Sequence, residues 1–159
     1  MSSQVDLFKE IMGHYPTGVT IVTTTTEKGE PVGLTVNSFA SVSLDPLMVL
    51  WCIDHKTSSY DAFIKNPRFA VHVLADDQED LCWLFAGKGT DRFSNIQWTL
   101  ADNVPLIEDC YAILNCEKVQ EVEAGDHTIL IGKVTGLSKK DKRPMLYFNR
   151  KLGAIPDHW

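Results

Sequence analysis

The chain has four cysteines, Cys52, Cys82, Cys110 and Cys116, and no Cys-x-x-Cys pair among them. Zinc sites and redox dithiols depend on such spacing, so buried thiols are expected, with no disulfide and no metal site. The histidines His14, His55, His72, His127 and His158 lack metal-ligand spacing as well. No Gly-x-Gly-x-x-Gly follows a strand-like run, which removes the Rossmann route to a dinucleotide. No Gly-x-Ser-x-Gly elbow holds Ser38, Ser41 or Ser43, which argues against a serine hydrolase. Apolar runs fall short of a bilayer's thickness, and Met1-Ser2-Ser3-Gln4 lacks the basic residues of a signal peptide. A cytoplasmic protein with no membrane partner is therefore expected. Positive charge is in deficit too, the formal net charge being -6. A nucleic-acid partner is not expected, and Lys139-Lys140-Asp141-Lys142-Arg143 reads as a solvated turn.

What is present is apolar residue enough, 44% of 159, for one compact domain spanning 1–159. Val5, Phe8, Ile11 and Met12 recur at helical spacing behind Ser2 and Ser3, predicting a short amphipathic helix that closes one end of the core. Val19–Thr26 and Pro31–Thr35 read as a hairpin about Glu27-Lys28-Gly29-Glu30, with Thr23-Thr24-Thr25-Thr26 as a polar-tolerant strand end. Phe39–Leu44 and Leu47–Ile53 flank Asp45-Pro46, Phe69–Leu74 is a strand, and Ala112–Val122 pairs with Thr128–Leu137 about Glu123-Ala124-Gly125-Asp126. Ser58 with Asp61, and Asp76 with Glu79, look like capping boxes opening two short helices. The fold class is mostly β with short helices. Antiparallel strands with few crossover helices favour a closed Greek-key barrel over a parallel sheet. Trp51 and Trp83 are assigned to the core.

From Gly33 to Pro46 an apolar ladder carries small uncharged hydrogen-bonding side chains, Thr35, Asn37, Ser38 and Ser41 among them. A planar polar ligand such as a flavin ring needs such donors, little bulk and close backbone approach. The alternative is an ordinary strand pair with Ser and Thr on its wet face. Lys56, Lys88 and Arg92 are candidates for the local positive charge that an anionic dinucleotide or flavin phosphate requires, or else serve solubility.

Four segments together carry a family resemblance. They are Gly18-Val19-Thr20-Ile21-Val22-Thr23 with Thr35-Val36-Asn37-Ser38-Phe39 and Ser41-Val42-Ser43-Leu44; Phe85-Ala86-Gly87; Arg92-Phe93 with Trp98; and Ala124-Gly125-Asp126-His127-Thr128 running on to Val134. In order and spacing, from about Phe8 to about Phe148, the chain resembles the short-chain flavin reductases, the small components of two-component flavin monooxygenases.

The resemblance implies a six-stranded antiparallel Greek-key barrel, the FMN-binding split barrel, in a homodimer. It implies that Thr35, Val36, Asn37 and Ser38 line the isoalloxazine, with Ser41, Val42 and Ser43 further along the same wall. Asp54, Lys56, Ser58 and Ser59 would lie near the ribityl phosphate, and a helix N-terminus at Ser58 would itself favour a phosphate. Ala86, Gly87, Lys88 and Phe93 would flank the flavin, and His127 would contact nicotinamide as the catalytic residue. Near the C-terminus Tyr147-Phe148 keeps the family's aromatic pair, while Arg150 and Leu152 stand where glycine and tyrosine are usual. Tyr147 and Arg150 therefore join the cofactor-binding set, with Arg150 a candidate for the pyrophosphate. The implied activity is hydride transfer from NADH or NADPH to FMN or FAD, with reduced flavin passed to a flavin-dependent monooxygenase. The alternatives are a flavin-binding electron carrier, favoured by Arg150 and Leu152, or a flavoprotein like pyridoxamine-phosphate oxidase.

Overall fold

The computed structural model describes residues 3–89 and 91–159. The first helix, α1 (Gln4–Gly13), begins at a capping box in which the Asp6 N–H donates to Ser3 Oγ at 3.1 Å and the Ser3 N–H to Asp6 Oδ2 at 3.0 Å. Contrary to expectation, α1 closes no core: none of its residues is buried, and Val5, Leu7, Phe8, Ile11 and Met12 are 46% to 64% exposed. Helical periodicity shows which face seeks burial and leaves open what buries it.

The strands follow as β1 (Thr17–Gly18), β2 (Thr20–Thr25), β3 (Pro31–Val36), β4 (Ala40–Leu44) and β5 (Leu47–Asp54). Helix α2 (Tyr60–Lys65) leads to β6 (Arg68–Val73), and α3 (Glu79–Ala86) to β7 (Trp98–Ala101) and β8 (Val104–Ile107). The long pair β9 (Ala112–Ala124) and β10 (His127–Lys139) precedes β11 (Met145–Phe148) and β12 (Lys151–Ala154). The fold is mostly β with short helices. Its main sheet is antiparallel, in the order β3-β2-β6-β9-β10-β5-β4, seven strands where six were expected.

That order dictates curvature. Edges of a flat seven-stranded sheet would lie roughly 29 Å apart. Here edge strands β3 and β4 are joined through residues 37–39, which span at most about 14 Å. The sheet must curl to bring its edges together. Accordingly Val22, Val36, Trp51, Phe69 and Leu130, from five different strands, meet in one buried cluster. A second cluster lies behind β2, where Ile21, Phe85, Phe93, Ile107 and Met145 pack together.

Strand β2 is therefore buried on both faces, and its threonine run is no polar strand end. Each hydroxyl is paired: Thr23 Oγ1 donates to Pro105 O at 2.6 Å, Thr24 Oγ1 to Arg68 O at 2.7 Å and Thr25 Oγ1 to Asn103 O at 2.9 Å. Beside it His72 is fully buried, its Nδ1 3.0 Å from Ile21 O and its Nε2 accepting from the Ile107 N–H at 3.0 Å. A backbone carbonyl only accepts and an amide N–H only donates, so the ring is the neutral Nδ1–H tautomer. Burial pushes its pKa down to about 4, against the Ile21 hydrogen bond.

Both expected capping boxes differ in detail. The N-cap of α2 is Ser59 and that of α3 is Gln78, neither with a side-chain cap bond; Gln78 Oε1 instead accepts from the Ala75 N–H at 2.9 Å. Among the described residues, no helix is long and apolar enough to cross a membrane. The thiols of Cys82, Cys110 and Cys116 are buried and free, and burial pushes them up to about 11, 11 and 12.

Candidate active site

Strand β3 ends against α3, and the sequence allows that approach. A Cβ on Gly33 would sit 2.9 Å from the Phe85 ring, so the helix lies this close because Gly33 has none. Thr35 Oγ1 donates to Cys82 O at 2.7 Å, and Arg92 Nη1 donates to Gly33 O at 2.6 Å. Arg92 also donates to the carbonyls of Gly87 and Gly89. It is a strut between the α3 exit and β3, its guanidinium occupied by backbone, and burial lowers its pKa.

Past this contact opens a cavity of about 180 Å³. Thr35, Val36, Asn37, Ala86 and Tyr147, all named from the sequence, line it together. Val19, Cys82 and Trp83 complete the wall and were not named. Cys82 precedes Ala86 by one helical turn, which is the signal that would have found it. Trp83, assigned to the core from sequence, is 49% exposed at this wall, with its indole N–H 3.4 Å from Glu79 Oε1. A cavity of that size holds one six-membered ring, as an engineered cavity of ~150 Å³ holds benzene.

Hydrogen-bond occupancy sorts the polar residues named from sequence. The Thr35 hydroxyl is taken by Cys82 O, and Ser38 Oγ accepts from the Cys52 N–H at 2.9 Å and faces Cys52 O at 3.3 Å. Asn37 is exposed, as are Ser41 and Val42 on β4, while Ser43 is half-buried.

Other named residues lie elsewhere. Ser58 and Ser59 line a separate hollow of about 230 Å³ with Thr26, Glu27 and Lys65. Gly87 and Lys88 are exposed beyond the end of α3. Phe93 is buried in the second core, edge-on to Phe85 and Trp98. Arg150 is exposed in the two-residue turn joining β11 to β12, at φ 60, and Leu152 faces Tyr147 across that hairpin.

The β9–β10 tip forms a third group. His127 opens β10, half-buried, opposite Asp54 of β5. Its Nδ1 lies 2.7 Å from Asp126 Oδ1, and this bond holds the Asp126 carboxyl below its usual range. The Asp54 carboxylate accepts from the Lys56 N–H at 2.8 Å, shaping the turn after β5. Ser38 is bonded to Cys52, which faces Ile129, so the strand spacings put His127 roughly 12 Å from Ser38.

Residues 12–156 match the flavin reductase like domain. The chain belongs to the flavin reductase family. The FMN reductase (NADH) SmoA of Agrobacterium fabrum is 41% identical over 149 residues, covering 93% of this chain and 84% of SmoA. The reductase component of the flavin-dependent trigonelline monooxygenase of Acinetobacter baylyi is 44% identical over 127 residues; the match covers 79% of this chain and 41% of that longer protein. Among solved structures, the NADH:FAD oxidoreductase SgcE6 of Streptomyces globisporus C-1027, in complex with NAD and FAD fragments, superimposes at TM-score 0.91 and 35% identity, over 98% of this chain and 94% of that one.

Proposed function

We propose that this flavin reductase takes a hydride from NADH or NADPH, delivers it to FMN or FAD, and supplies the reduced flavin to a flavin-dependent monooxygenase. The observation that carries this reading is the near full-length likeness to an NADH:FAD oxidoreductase solved with NAD and FAD fragments. A bound flavin supplies the hydride acceptor, its N5, so the chain needs no nucleophile of its own.

The residues present fit such a ring. Val36, Ala86, Trp83 and Tyr147 give the cavity apolar walls beside one exposed amide, Asn37, and would hold one edge of a flavin ring, with Ser41, Val42 and Ser43 of β4 further along. Asn37 and backbone groups of 35–38 would hold the polar edge; Thr35 and Ser38 act by fixing backbone. Lys56, in the turn after β5, and Lys88, just past the end of α3, would supply positive charge for a flavin phosphate, and His127, oriented by Asp126, would meet the nicotinamide. Stacked hydride transfer needs one ring face held by the protein and the other free for a nicotinamide, and these walls would supply the first.

The finer fold belongs to the same proposal: the curled sheet is read as the split barrel. So does the homodimer. Its support is uncovered apolar surface, namely α1, the β4–β5 edge with Leu44 at 86% exposure, and Val119 and Leu137 on the long hairpin. Sedimentation of the full chain tests it, and a monomer at micromolar concentration would remove it. Cytoplasmic residence is supported by the demand for reduced nicotinamide cofactor. The function itself is tested anaerobically, by following the flavin absorbance band after adding NADH or NADPH to protein with FMN or FAD. Bleaching far above the protein-free rate is expected; bound flavin that never bleaches would favour a carrier instead.

A further inference from the structure

A polar cluster at the β9–β10 tip lies outside the cavity. Thr128 is fully buried, and its Oγ1 lies 2.9 Å from Glu123 Oε1, 2.8 Å from Tyr60 Oη and 3.0 Å from His55 Nε2. A carboxylate only accepts, so the single hydroxyl proton of Thr128 goes to Glu123. Its two lone pairs then accept from the Tyr60 hydroxyl and from His55 Nε2–H. That assignment fixes the His55 tautomer, and the same N–H faces Glu123 Oε2 at 3.0 Å. The rings of His55 and Tyr60 meet edge-on at 5.4 Å. Backbone joins in as well, the His55 N–H donating to Asp126 O at 3.0 Å.

The cluster draws on four places in the chain: the turn after β5, α2, the end of β9 and the start of β10. A hairpin closes through its own ladder and needs none of these bonds, yet all but the His55–Glu123 contact end on Asp126 or Thr128, the residues flanking His127. Successive strand residues face opposite ways. Thr128 therefore anchors inward while His127, bonded to the exposed Asp126 of the turn, faces the other way.

We infer that Tyr60, Thr128, Glu123 and His55 form one positioning cluster, which holds the Asp126–His127 pair in place for the nicotinamide of the incoming dinucleotide; this rests on the role of His127 proposed above. Thr128 is the hub, because its hydroxyl alone hydrogen-bonds to the other three.

The test is a double-mutant cycle on the full chain, with steady-state NADH kinetics and a separate FMN titration. Thr128→Val should raise KM for NADH roughly fivefold, with a smaller change in kcat and in FMN affinity. Thr128→Ser, which keeps the hydroxyl, should recover to within about twofold of wild type. In a His127→Ala background, Thr128→Val should add nothing, since the group it positions is gone. An equal effect of Thr128→Val in both backgrounds, or none in the wild-type background, overturns the inference while the role of His127 stands. His127→Ala with wild-type NADH kinetics removes that role, and the inference with it. Should Thr128→Val not fold, Tyr60→Phe, which removes one donor at the rim, is read by the same criteria.

Discussion

Strand β2 and the segment from Asn37 to Ser43 are alike on paper in carrying several small hydroxyl-bearing residues among apolar ones, yet the fold uses them in opposite ways. In β2 every residue is buried, and the Thr23, Thr24 and Thr25 hydroxyls each donate to a backbone carbonyl from a distant segment. From 37 to 43 the chain runs along the sheet's edge, with Asn37, Ser41 and Val42 exposed. A small polar side chain in a strand therefore identifies a ligand site only when its hydrogen-bonding capacity is still open. Inside a core the same group acts as a bolt between layers.

The strongest way to stress the buried side of this contrast is acid, through His72. Unfolded, its imidazole takes a proton near pH 6.5; folded, it does so only at about 4. Between those values the unfolded chain binds more protons, so stability falls as pH drops through the window, by about 3 kcal/mol in all. Urea melts at pH 7 and pH 5 should show the loss, and His72→Leu should flatten the slope while lowering stability at both. Next in size is Thr23→Val, which strips the Pro105 carbonyl of its donor and should cost about 2 kcal/mol of unfolding free energy with flavin affinity unchanged. On the open side, Asn37→Ala should weaken flavin binding about tenfold in a titration and leave the melting temperature alone. Unchanged affinity there would erase the contrast. Ser38 is the sharpest case, since it lies in the open segment with its hydroxyl already engaged by Cys52. Ser38→Ala should behave like the threonines, losing about 1 kcal/mol of stability, and an effect confined to flavin affinity would place it with Asn37.

Much of the framework was legible in the residues, for reasons that also explain what was not. Strands β3, β5, β6, β9 and β10 were marked by apolar stretches between turn signals. Thr23–Thr26 was misread because composition cannot show a strand covered on both faces. The hairpins β7–β8 and β11–β12 went unnoticed, being four residues a side, with turns at Asp102-Asn103 and Asn149-Arg150 that adopt positive φ without glycine. Within the site, Thr35-Val36-Asn37 was readable as a contiguous segment. Trp83 was not, since an aromatic in a helix reads as core. The Ser58–Ser59 hollow is separate from the Asn37 cavity because α2 packs near β2 beside Thr26 and Glu27. Nothing in local sequence reveals which end of a curled sheet a helix will occupy.

The short link between β3 and β4 acts as a tether whose length sets how far the sheet can open. Asn37 sits on that tether, so a ring docked against it would grip both margins of the seam at once. Occupancy and curvature would then be linked. Lengthening the link by even two glycines should let the margins drift apart, turning a rigid slot into a groove that breathes, with amide exchange quickening along β3 and β4 before anything else in the molecule changes.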